Sequence, residues 1–170
     1  RNSGIVVLLR EPVVWQDELQ LTADSIYAEF PDKKLKKIIA KRIPEVRNSK
    51  LSFAISKNTD IRYSQRYDQI SGRIITLNFE DEKITAAEVE GEARSIYFMY
   101  EDQSASGMNR IEGMKLFIYF DGDQKVTRIK VTGGPKGDYI PEQLIGSYEQ
   151  LLPGFLLRDD IPERKADGAF

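Results

Sequence analysis

The same strand, turn and returning strand is written three times along this chain, and no other feature limits its possible folds as much. Aligned on Phe30, Phe79 and Phe120, the inward-facing sets are Ile26/Ala28/Phe30, Ile75/Leu77/Phe79 and Leu116/Ile118/Phe120, with Met114 extending the third. Apolar residues alternating at period two mark a half-buried strand. Nine residues before each Phe stands Leu21, Ile70 or Ile111, and seven before it stands Ala23, Gly72 or Gly113. Polar turns follow at 31–34, 80–83 and 121–125. The returning strands open with Leu35, Ile84 and Val126 and continue with Ile38/Ala40, Ala87/Val89 and Ile129/Val131. Gly91 and Gly133 close the second and third units.

The three Phe residues are 49 and 41 positions apart, a spacing typical of repeat architectures and wide enough for two further strands between copies. A unit of this kind cannot cover its own apolar face, so copies must stack into a sheet whose shared face is buried or ligand-lined. The chain is therefore expected to be all-β, a stack of antiparallel hairpins. Residues 5–9 and 12–15 read as the first strands, 17–18 as a turn, and 19–30 as one long strand. Leu51, Phe53 and Ile55 alternate as another strand, and 95–100 form an aromatic one. The polar stretch 101–107 reads as a mobile loop, and 134–138 as irregular. Leu144, Ile145, Tyr148, Leu151 and Leu152 follow helical spacing behind Pro141, which predicts one short C-terminal helix stopped by Pro153-Gly154. Residues 1–153 make one β domain, and 154–170 a charged, frayed tail.

Composition narrows the function. A net charge of −2 over 170 residues argues against nucleic acid as a partner. The absence of His and Cys removes the usual general base, thiol nucleophile and zinc ligands, so no enzyme, metal or cofactor is expected. The carboxylate pairs Asp121/Asp123 and Asp159-Asp160 fall in a turn and a tail, where Asp serves geometry and solubility. Lys33, Lys34, Lys36, Lys37, Lys41 and Arg42 cluster around the first turn, either to hold an anionic head group or to guard a solvated sheet edge. The chain starts at Arg1 without a signal segment, as a processed or excised piece would.

Four stretches give a resemblance. They are Tyr67-Asp68-Gln69-Ile70-Ser71-Gly72-Arg73, Gly91-Glu92-Ala93-Arg94-Ser95-Ile96-Tyr97-Phe98, Met108-Asn109-Arg110-Ile111-Glu112-Gly113-Met114 and Gly154-Phe155-Leu156-Leu157-Arg158-Asp159-Asp160. In this order they resemble the OstA-like proteins of Bacteroidota-type bacteria, relatives of the lipopolysaccharide-transport protein LptA and of the periplasmic N-terminal domain of LptD. The first unit, with Leu21-Thr22-Ala23-Asp24, resembles the Leu-x-Ala-Asp strand of the wider family. The resemblance implies a β-taco or jelly-roll-like fold, a place in the periplasm or cell envelope, and lipopolysaccharide or lipid A as ligand. It also implies other lipopolysaccharide-transport proteins, or further copies of the chain, as partners.

The residues expected to line a lipid groove are Ile26, Phe30, Ile75, Leu77, Phe79, Leu116, Ile118 and Phe120, with Val89, Ile129 and Val131 opposite or adjacent. Each would serve equally well in a filled sandwich core. Two other classes of function stay open. One is a structural module that self-assembles by strand addition at open edges such as Ile5 to Leu9, without lipid affinity. The other is a carbohydrate-binding module using Trp15, Tyr97 and Tyr119 as sugar platforms.

Overall fold

The computed structural model describes residues 3–159, and apart from two short 3-10 turns their regular structure is antiparallel β. The strands are β1 (Ser3–Leu9), β2 (Val13–Gln16), β3 (Leu19–Thr22), β4 (Ser25–Pro31), β5 (Lys37–Lys41), β6 (Ser52–Ser56), β7 (Asp68–Gly72), β8 (Ile74–Glu80), β9 (Lys83–Glu101), β10 (Ser104–Phe120), β11 (Val126–Thr132) and β12 (Lys136–Pro141). All twelve belong to one hydrogen-bonded sheet.

Two strands explain its shape. β9 has 19 residues and β10 has 17, against a usual length of about 5–6. Each changes partners halfway. The first half of β9 pairs with β8 and the second with β7; the first half of β10 pairs with β12 and the second with β11. The sheet therefore folds along a crease into two facing walls. The first wall contains β1, β4, β5, β8, the first half of β9, the second half of β10, and β11. The second contains β2, β3, β6, β7, the remaining halves of β9 and β10, and β12. The three aligned units are the hairpins β4–β5, β8–β9 and β10–β11 of the first wall.

The small residues of the alignment mark the crease. Ala23, Gly72 and Gly113 lie where the chain leaves the second wall for the first. At Gly113 an added Cβ would stand 2.6 Å from Val131 Cγ2. Gly133, which brings the chain back, has φ +76° and faces Met114, so a side chain there meets both strain and a clash. Asp24 ties the crease together. Its Oδ2 accepts the Ile43 N–H at 2.8 Å and the Ser49 hydroxyl at 2.6 Å, and its Oδ1 accepts the Lys50 N–H at 3.3 Å. Burial works to raise its pKa, but these bonds and the Arg42 charge outweigh it and hold the carboxyl below the ordinary value.

Several expected boundaries shift for physical reasons. The single strand over 19–30 is two, β3 and β4, turned at Ala23–Asp24. Met114 leaves the inward row because the register slips between Gly113 and Lys115, and it is 69% exposed. The expected loop 101–107 is a tight turn at Asp102-Gln103, both at positive φ, followed directly by β10. Part of the irregular stretch 134–138 pairs with β10 as β12. The C-terminal helix is a 3-10 helix over Glu142–Ser147, in which only Ile145 is buried. Leu144, Tyr148 and Leu151, expected on its packed face, are exposed.

The apolar side chains form two clusters. One fills the crease and lines the inner faces of the two walls. The other lies on the outer face of the second wall, where Phe53, Ile55, Ile96, Phe98, Met108 and Ile140 meet Ile145 and Leu152 of the C-terminal segment, with Tyr67, Phe155 and Leu157 against them. Two buried amides stitch that segment down. Gln69 Nε2–H donates to the Gln150 carbonyl, and Gln69 Oε1 accepts the Leu152 N–H. Gln20 Nε2–H donates to the Leu156 carbonyl, and Gln20 Oε1 accepts the Arg158 N–H. The tail expected to fray from Phe155 is thus docked as far as Arg158, and positions 160–170 lie outside the described residues.

Candidate functional site: a trough between the walls

Away from the crease the walls diverge and enclose a trough of about 1000 Å³. That is the upper end of the range, roughly 300–1,000 Å³, in which small-molecule sites fall. Its mouth lies between the far turns of the two walls, around 17–18, 57–60 and 102–103 on one side and 123–126 on the other.

The eleven groove candidates divide by depth. Ile26, Ile75, Val89 and Leu116 form the packed base and are no more than 1% exposed. Leu77, Phe79, Ile118, Phe120 and Ile129 line the trough itself. Val131 packs against the base from β11, and Phe30 is half-buried at the end of β4; neither lines the trough. The lining also includes Leu19, Ala54, Ile70, Ile84 and Val126. Ile70, Ile84 and Val126 sit at positions the threefold alignment had already marked as apolar.

The walls differ in chemistry. The first presents aliphatic and aromatic side chains, and the second intersperses Ser56, Asp68, Ser95 and Tyr97 among its apolar ones. Asp68 Oδ1 accepts the Phe98 N–H at 2.9 Å across the β7–β9 pairing. Burial pushes this carboxyl up to about 7, against the pull of that single bond. Burial, and then the Asp68 charge, raise Tyr97 and lift Tyr100 to about 12. Asp68 was missed because nothing in one sequence distinguishes a strand-opening Asp that faces a cavity from one that faces water.

Other expected features lie apart from the trough. Trp15 sits beneath the Lys57 ammonium, 4.6 Å from the ring centroid, Tyr97 is in the trough wall, and Tyr119 lies 6.0 Å from the Arg128 guanidinium. The three aromatics considered as sugar platforms are thus dispersed. Lys33, Lys34 and Lys36 are at the β4–β5 turn, and no residue of the lysine cluster lines the trough. Asp121 Oδ1 accepts the Asp123 and Lys125 N–H groups of its own turn. Asp159 pairs with Lys57 at 3.0 Å, and Asp160 lies outside the described residues. Among the described residues no helix is long and apolar enough to cross a membrane.

Two curled walls sharing a crease and an apolar interior define the LptA-like β-taco fold. A solved structure that shows this is LptH from Pseudomonas aeruginosa, titled the LptA homologous periplasmic component of the conserved lipopolysaccharide transport device. Its TM-score with this chain is 0.52, at 17% identity, over 81% of this chain and 84% of that one. At that identity the likeness is one of fold. No family model matches the chain, and no curated protein does.

Proposed function

We propose that this protein is an LptA-type, OstA-like module of the periplasm or cell envelope that shelters the acyl chains of lipopolysaccharide, or of its lipid A part, in the trough. The observation that carries this is the trough's first wall, where the half-buried Ile84, Phe120, Val126 and Ile129 line a cavity above the buried Leu77, Phe79 and Ile118. Each CH₂ moved from water onto such a surface contributes about 0.8 kcal/mol, so partial insertion of a few chains gives firm but reversible holding. The neighbour LptH, with the same fold, belongs to a lipopolysaccharide transport device.

Native mass spectrometry with lipid A tests the proposal. Wild-type protein and Ile118→Leu, which keeps the apolar volume, should carry lipid. Phe120→Asp and Ile129→Asp, at half-buried positions that tolerate a charge in the folded chain, should not. Ile118→Asp should also abolish binding, but at 5% exposure it strains the fold as well. Normal lipid loading by folded Phe120→Asp and Ile129→Asp would disprove the assignment.

A second function is compatible with the first. β1 is an edge strand carrying Ile5, Val7 and Leu9 at 54%, 57% and 61% exposure. Strand addition by another copy or another transport component at this edge would extend the trough from one module to the next. Sedimentation should then show concentration-dependent oligomers that Val6→Pro, which removes a backbone donor, disrupts.

A further inference from the structure

The mouth of the trough has a charge of its own. The carboxylates of Asp17, Glu18, Asp102 and Asp123 line it, together with Asp60, which is paired with the Arg62 guanidinium at 2.7 Å. The cations in the same lining are Lys57 and Lys125, and the Lys57 ammonium is already paired with Asp159 at 3.0 Å. The remaining polar groups there include the amides of Gln16, Asn58, Gln103 and Gln124, which can both donate and accept. The lysine-rich turn of β4–β5 contributes nothing to this lining.

We infer that the trough selects amphiphiles whose first polar groups beyond the acyl chains are neutral or amine-bearing, such as hydroxyls, amides or ammonium, and discriminates against those with phosphate at that point. This deepens the lipid-sheltering proposal and rests on it. Carboxylates accept from hydroxyl and ammonium donors, and amides pair with sugar hydroxyls or acyl amides. A phosphate dianion at the same place meets the Asp17, Glu18, Asp102 and Asp123 carboxylates, while the Arg62 and Lys57 cations are already held by Asp60 and Asp159. Its repulsion acts across a mouth flanked by low-dielectric walls, which focus the field. Phosphates of a bound lipid must then be held out beyond the rim or be neutralised by a cation before entering.

Competition against a bound, uncharged fluorescent fatty-acid amide probe tests this with three single-chain amphiphiles of equal tail length, each kept below its micelle concentration: dodecyl maltoside, dodecyltrimethylammonium and dodecyl phosphate. At about 20 mM salt the first two should compete at least about tenfold more tightly than the phosphate. At about 0.5 M salt, where the screening length falls to a few ångströms, the gap should close to about twofold. The triple variant Asp17→Asn/Asp102→Asn/Asp123→Asn should close it at low salt as well. Asn is chosen because Asp17 and Asp102 have positive φ, which Asn tolerates. Equal or tighter binding of the phosphate at low salt would overturn the inference while leaving the lipid trough in place. Failure of all three, and of the uncharged amide probe, would remove the trough as a lipid site altogether.

Discussion

The second wall buries both of its faces, whereas the first buries one. On the second wall β6 is buried along Ser52, Phe53, Ala54 and Ile55, with Phe53 under the C-terminal segment and Ala54 toward the trough. On the first wall outward side chains meet water, and the Lys115 and Lys130 ammonium groups lie over Phe117, 4.8 and 5.8 Å from its ring centroid. The second wall therefore has a core that does not depend on what the trough holds, and it can carry polar residues on its inner face. The first wall has no such reserve. Its aliphatic residues near the mouth gain their full burial only when something apolar lies between the walls.

That difference can be broken at its strong end first. Phe98→Ala empties the outer core of the second wall and should cost about 3–5 kcal/mol in urea unfolding. Its effect on lipid affinity per folded molecule should be small. Next comes the crease between the walls. Asp24→Ala leaves the Ile43 and Lys50 N–H groups and the Ser49 hydroxyl without their acceptor and should cost about 2–3 kcal/mol by the same measure. Wild-type stability from this group is present above the ordinary carboxylate range and lost as pH falls through its depressed value, so the deficit of the variant should shrink in acid.

Asp68 gives the opposite sign. Its folded-state value of about 7 lies above that of the unfolded chain, so its ionisation costs stability as pH rises from about 4 to about 7. Asp68→Asn should leave unfolding at pH 4 nearly unchanged and stabilise the protein at pH 8 by on the order of 2 kcal/mol. The smallest stability change belongs to the mouth of the first wall. Phe120→Ala, at a half-buried position, should cost under about 1 kcal/mol without lipid, yet lower the affinity for an acyl chain about tenfold. A Phe98-sized stability loss at Phe120 would mean that the mouth is ordinary core, and the contrast between the walls would disappear.

Much of the first wall was legible in the sequence because its inward residues alternate without interruption: Ile75/Leu77/Phe79 and Leu116/Ile118/Phe120 read directly as a half-buried face. The second wall was harder for a definite reason. Buried on both faces, Phe53, Ala54 and Ile55 lose the alternation that identifies a strand's inner side, and Phe53 and Ile55 point away from the trough. The crease was visible as Ala23, Gly72 and Gly113 at matched positions, but their meaning needed the partner exchange of β9 and β10. The tight turn at Asp102-Gln103 was hidden because it lacks the glycine that usually announces a two-residue hairpin. Gln20 and Gln69 were hidden too, since an amide gains its anchoring role only from backbone groups 81 to 138 positions away.

The continuity of β9 and β10 through both halves of the molecule has a mechanical consequence. The leaves of a book can open or close about the spine, but they cannot slide past each other without tearing the binding. Here the binding is two unbroken strands flanked by hydrogen bonds on either side, so any widening to admit a thicker cargo must be a flexing at the crossing points, 91–93 and 113–115 in those strands and 23–24, 72–73 and 133–134 beside them. Substitutions that stiffen those few joints should leave the leaves intact and set how far they part.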